Sequence, residues 1–139
     1  MSILVIDAQG GGIGRQLVAK LLERIPEADI VAAGTNSMAT NAMIKAGAKK
    51  AATGENAIRY CASQAEIITG PIGILVANAM LGEISPAIAE SVGSSTAPKV
   101  LIPTAHCNTI IAGTKALPVK DSIEDAVDRI VRIHGGEDN

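Results

Sequence analysis

The chain has 139 residues, 47% of them hydrophobic and 19% charged, which suits one folded domain with a sizeable core rather than a disordered segment. A net charge of −2 offers no electrostatic basis for a nucleic-acid or membrane surface, and Tyr60 as the sole aromatic ring leaves no platform on which bases could stack. The first apolar run, Ile3 to Ile6, meets Asp7 too soon for a signal peptide, and the longest, Ile72 to Leu81, is about half the ~20 residues that span a bilayer, so a cytoplasmic protein is expected.

In chain order, Ile3 to Ile6 reads as a short buried strand, followed by a helix with Leu17, Leu21, Leu22 and Ile25 on one face and Pro26 as its stop. Asp29 to Gly34 is a second strand. Ser37 is expected to cap a helix that turns Met38, Ala42, Met43 and Ala46 inward and closes at Gly47. Lys49 to Thr53 is a weak third strand, Glu55 to Tyr60 a short helical turn, and Ala65 to Thr69 a fourth strand. The run Ile74 to Leu81 predicts a buried helix, placed centrally in the domain or in a homodimer interface. Ser85–Pro86 is a helix start with Ser as N-cap and Pro at the first helical position, the helix running to about Val92. Lys99 to Pro103 is a fifth strand, and Thr109 to Gly113 offers a sixth. Asp121 or Ser122 then caps a last helix striped with Ile123, Ala126, Val127, Ile130 and Val131. Residues 1–133 form one domain and 134–139 a flexible tail.

Strands alternating with helices imply parallel pairing through right-handed crossovers. The expected fold is α/β, a doubly wound and mostly parallel sheet of five or six strands with helices on both faces. Strand order is not specified by the pattern.

Gly10, Gly11, Gly12 and Gly14 follow the first strand and open the first helix. A turn that admits a phosphate must shed side chains so that backbone amides reach the ligand, and the helix N-terminus adds about half a positive charge. These glycines, with Ile13 between them, therefore read as a phosphate-binding loop. The dinucleotide spacing G-x-G-x-x-G is not met, because Arg15 stands where the last glycine would fall. Asp7 either contributes to the site or caps the loop's own amides.

Ligands of open parallel sheets bind at the carboxyl ends of the strands. Those ends read Asp7 and the glycines, then Gly34 to Ser37, Thr53 to Asn56, Thr69 to Gly73, and Thr104 to Asn108. Together they predict one polar crevice in which Thr35, Asn36, Ser37, Thr53, Glu55, Asn56, Gly70, Gly73 and Asn108 join the glycine loop in binding a small molecule. His106 and Cys107 form the sharpest chemical grouping. Either of them, facing Asp7 or Glu55, would serve as acid, base or nucleophile, while the bland reading makes Cys107 a small apolar residue and His106 a loop residue. No spacing supports a metal site, and two cysteines are too few and too far apart for zinc alone.

The first 36 residues resemble short-chain dehydrogenases: Gly12, Ile13 and Gly14 match their T-G-x-x-x-G-I-G loop, with Ala8 at its first glycine and Asp7 at its threonine. "VAAGTN" resembles that family's second strand, with Thr35 in place of an arginine and Asn36 following, so the resemblance implies NAD(P) or another nucleotide as cofactor. The catalytic Tyr-x-x-x-Lys does not carry over, since Gln64 stands four residues after Tyr60. "GTNS" and "TGPIG" resemble the phosphate-gripping loops of methylglyoxal synthase, but Ile74 and Leu75 replace its catalytic aspartate. Across the whole chain, "IDAQGGGIG", "GTNSMAT", "ATGEN", "GPIG", "LGEISP" and "IPTAHCN" resemble a family of small uncharacterised bacterial proteins of Firmicute type, which implies a stand-alone Rossmann-like domain. Three functions are then open: a nucleotide-binding protein, a small enzyme on a phosphorylated or carboxylated metabolite, and a non-catalytic ligand-sensing or assembly module.

Overall fold

The computed structural model describes residues 2–104 and 109–136. Five strands, β1 (Ser2–Asp7), β2 (Asp29–Gly34), β3 (Lys50–Thr53), β4 (Ile67–Pro71) and β5 (Lys99–Ile102), pair in the order β3-β2-β1-β4-β5, every pair parallel. Helices α1 (Gly12–Arg24), α2 (Ser37–Lys45), α3 (Glu55–Gln64), α4 (Pro86–Ser94) and α5 (Val119–His134) cover the two faces. The doubly wound, Rossmann-like α/β architecture expected from the alternation is the one found.

The period-two alternation of side chains along a strand sorts the core. Ile3 and Val5 point to one face, where Leu17, Leu21, Met43, Ile123, Val127 and Ile130 bring in α1, α2 and α5. Leu4 and Ile6 point to the other, against Ile58, Ile88 and Val92 of α3 and α4. No aromatic ring enters either layer; Ile, Leu, Val, Ala and Met fill both.

Since all pairs are parallel, Asp7, Gly34, Thr53, Pro71 and Ile102 end at one edge of the sheet, with Asp7 beside Gly34 and Pro71 beside Ile102 in register. The chain leaves β1 toward β2 and β3 on one side and returns to β4 and β5 on the other. The β1–β4 boundary is thus the switch point, where crossovers diverge and leave a crevice.

Several local expectations are corrected. The run Ile74 to Leu81 is no α-helix: a 3-10 turn, Ile72–Leu75, gives way to consecutive turns. Asn78, Met80 and Leu81 have φ of 68°, 56° and 58°, a left-handed backbone that cannot continue a right-handed helix. Among residues 109–118 no strand forms; Thr114 instead closes a turn onto the Ile111 carbonyl. α2 is capped by Asn36, whose side chain accepts from the Ala39 amide, rather than by Ser37. α5 begins two residues before Asp121, with Pro118 at its N-cap position, and continues through His134. Ser85 caps α4 as expected, accepting from the Ile88 amide.

Candidate functional site

The β1 carboxyl end is shaped by Asp7. This buried carboxylate accepts from the Ala8 amide through Oδ1 at 2.8 Å and from the Gly14 amide through Oδ2 at 2.7 Å. It therefore caps the first turn of α1, where the positive end of the helix dipole favours it. Of the two roles open to Asp7, the capping one is filled.

Burial raises the Asp7 carboxyl above its usual range; the Gly14 and Ala8 amides pull it down, the Glu83 charge pushes it up again, and the Ile13 amide lowers it. A group with a raised folded-state pKa stabilises fully below its unfolded value and loses that contribution as pH climbs through the folded one. Relative to Asp7→Asn, which does not titrate there, the wild-type unfolding free energy should fall as pH is raised from about 3 to about 7. Urea titrations of both proteins at the two pH values check this; a wild-type advantage that grows with pH would refute it.

The four loop glycines divide into two pairs. A Cβ on Gly11 would lie 2.9 Å from the Ala39 backbone, and its φ is +72°; one on Gly14 would lie 2.7 Å from Met43 Sδ and 2.9 Å from Asp7 Cβ. These two let α1 sit close to β1 and α2. A Cβ on Gly10 or Gly12 would meet nothing within 4 Å. Neither residue has a positive φ, and neither amide has a hydrogen-bond partner among the described residues. Packing explains Gly11 and Gly14 and leaves Gly10 and Gly12 without a structural reason.

A cleft of about 190 Å³ opens over this turn, lined by Asp7, Gly10, Gly11, Gly12 and Ile13 on one side and by Pro71, Gly73, Met80 and Thr104 on the other. It straddles the switch point. A second cavity of about 520 Å³ shares Ile13 and Thr104 with it and is walled by Ile72, Pro103, Ile110, Ile111 and Leu117. On the far side of the turn, Gly10 also borders a shallow groove with Arg15, Ser37, Asn41 and Lys45. Arg15 and Lys45 form no ion pair among the described residues.

At the β2 tip, Glu83 draws three donors to a single oxygen. Its Oε1 accepts from the Thr35 hydroxyl at 2.6 Å, the Gln9 amide at 2.8 Å and the Asn36 side-chain amide at 2.9 Å. Burial raises the Glu83 carboxyl, but the hydrogen bonds from Thr35, Gln9 and Asn36 outweigh it and hold the group below the usual glutamate range. Glu83, Gln9 and Met80 are absent from the residues that the sequence nominates, and Thr104 enters there only as the first residue of the fifth strand ending. "LGEISP" contains Glu83, yet its contact with Thr35 crosses 48 residues and has no local signal.

Other nominated residues lie apart from the cleft. Thr53 pairs with the Thr40 hydroxyl at 2.7 Å, toward α2. Glu55 accepts a hydrogen bond from the Ser85 hydroxyl, between the starts of α3 and α4, and Asn56 is exposed beside it. Gly70 is buried, and its missing Cβ makes room for the Ile6 carbonyl oxygen. His106, Cys107 and Asn108 lie outside the described residues; Thr104, just before them, lines the cleft.

An all-parallel 3-2-1-4-5 sheet with a glycine turn at its switch point defines a Rossmann-like α/β protein. The chain belongs to the family described as a domain of unknown function (DUF3842), which residues 2–135 match. No curated protein matches it. Among solved structures it is similar to a dodecameric FMN-dependent UbiX-like decarboxylase from Escherichia coli O157:H7, with a TM-score of 0.51, 16% sequence identity, and coverage of 97% of this chain and 95% of that one. At that identity the likeness is one of fold. Among the described residues no helix is long and apolar enough to cross a membrane.

Proposed function

We propose that the protein binds a nucleotide-like cofactor, its phosphate seated on the glycine turn at the switch point. The observation that carries this is the division of the glycines. Gly10 and Gly12 line the cleft, their amides have no hydrogen-bond partner among the described residues, and a Cβ at either would meet nothing within 4 Å, so no packing demand requires glycine there. Arg15 and Lys45, across Gly10, add positive charge for a phosphate, while Asp7 is already committed to α1.

Flavin mononucleotide is the first candidate, because the decarboxylase of similar fold is FMN-dependent and the residues present fit its two halves. The Gly10 and Gly12 amides would take the phosphate, and the apolar wall of Ile13, Ile72 and Pro103 would take a planar ring. Bound flavin would supply redox or group-transfer chemistry. NAD(P) lacks comparable support: no acid follows β2 to hold the ribose diol of NAD, Thr35 stands where an arginine would meet the 2′-phosphate of NADP, and the G-x-G-x-x-G spacing is broken at Arg15. Self-association belongs to the same reading. Ile110, Leu117 and Val119 are exposed near the β5 edge, and the similar decarboxylase is dodecameric.

The test is a binding panel. Native mass spectrometry of freshly purified protein, followed by titration with FMN, FAD, NAD, NADP, ATP and S-adenosylmethionine, should show at least one nucleotide bound with a Kd below about 100 μM. Binding of none of them below about 1 mM would remove the proposal.

A further inference from the structure

Residues 76–85 leave the β4 side of the crevice, cross over the glycine turn and reach the β2 tip, where Glu83 takes the Gln9, Thr35 and Asn36 donors. Met80 of this strap lines the cleft opposite Gly10 and Gly12. The strap is held in a costly shape. Asn78, Met80 and Leu81 all have left-handed backbones, a region that Met and Leu rarely adopt. Leu81, at 98% exposed, gains nothing from burial to offset its share. Ala79 and Ile84 are the strap's buried anchors, and Glu83 ties its far end to the turns after β1 and β2.

Those three donors surround an anionic oxygen, and a phosphate oxygen satisfies the same donors as a carboxylate oxygen does. Glu83 also sets its charge beside Asp7, so the closed strap repels an incoming anion as well as occupying its place.

We infer that the Gln9 amide, the Thr35 hydroxyl and the Asn36 side-chain amide form an anion subsite that Glu83 fills in the free protein, and that a phosphate monoester enters by displacing this carboxylate and lifting the strap. The inference extends the nucleotide-binding reading of the crevice by adding a self-inhibited state, and it has a readout of its own. Glu83→Ala and Glu83→Gln are compared with the wild type by amide hydrogen exchange and by calorimetric titration with inorganic phosphate, with the α5 amides reporting that the fold is intact.

In Glu83→Ala the Gln9 amide and residues 76–84 should exchange at least about tenfold faster, and phosphate should bind at least about tenfold more tightly than to the wild type. Glu83→Gln, which keeps an acceptor and loses the charge, should fall between the two. Exchange at Gln9 and the strap within about twofold of the wild type overturns the latch. So does a strap that opens without any gain in phosphate affinity, because Glu83 is then a structural pin. If Glu83→Ala gains phosphate while no nucleotide binds either form, the nucleotide reading fails and the latch stands.

Discussion

Replacing Gly12 with alanine should weaken nucleotide binding at least about tenfold while leaving the thermal midpoint unchanged or slightly raised. Gly12 opens α1 with an ordinary helical backbone, and an added methyl meets nothing within 4 Å. In the free protein alanine is therefore accommodated, and its lower unfolded-state entropy favours the fold by about 0.4–1 kcal/mol. In the complex the same methyl stands where a phosphate must approach the Gly12 amide. Gly10→Ala should behave likewise. Gly11→Ala is the contrasting control: with φ at +72° and the Ala39 backbone 2.9 Å from the new Cβ, it should cost stability whether or not ligand is present. The check is a melting curve and an FMN titration, read by flavin fluorescence, for each variant. A Gly12→Ala protein that binds as tightly as the wild type would show that the open turn is not where phosphate sits.

Gly70→Ala should be the most damaging single methyl in the chain. Its Cβ would fall 2.3 Å from the Ile6 carbonyl oxygen and 3.4 Å from Ile74, at a φ of +154°. The obstacle is backbone, and Ile6 belongs to β1, which is paired on both sides at the centre of the sheet. Neither strand can yield without breaking a ladder. A loss of about 3 kcal/mol or more is expected, lowering the melting temperature by about 10 °C. Urea and thermal denaturation measure it; a loss below about 1 kcal/mol would mean that β4 can move away from β1. The sequence nominates Gly70 as a ligand residue, but the fold by itself accounts for glycine there.

How much of this was legible follows from how local each feature is. Alternating apolar periods predict the five strands and five α-helices that form, because each element's pattern lies within its own few residues. They also predict a helix at Ile74 to Leu81 and a sixth strand at Thr109 to Gly113 that do not form. Strand order is set by pairings such as Ile3 with Ile67, which no nearby residue encodes. The apolar run Ile74 to Leu81 has a helix's composition, but three left-handed residues follow from where the strap must go. Thr109 to Gly113 has strand-like residues and no partner to pair with among the described ones. The glycine turn was visible at once. That two of its glycines serve close packing and two face open space depends on α2 lying against Gly11 and Met43 against Gly14, contacts that no local pattern encodes. Glu83 was invisible for the opposite reason: nothing in its own hexapeptide points to Thr35.

With no tryptophan and Tyr60 exposed on α3, the interior is optically silent. Absorbance or emission beyond the tyrosine band in a purified sample would therefore come from a guest. A yellow preparation would report an occupied crevice before any assay was run, and bleaching under a reductant would identify the guest as redox-active.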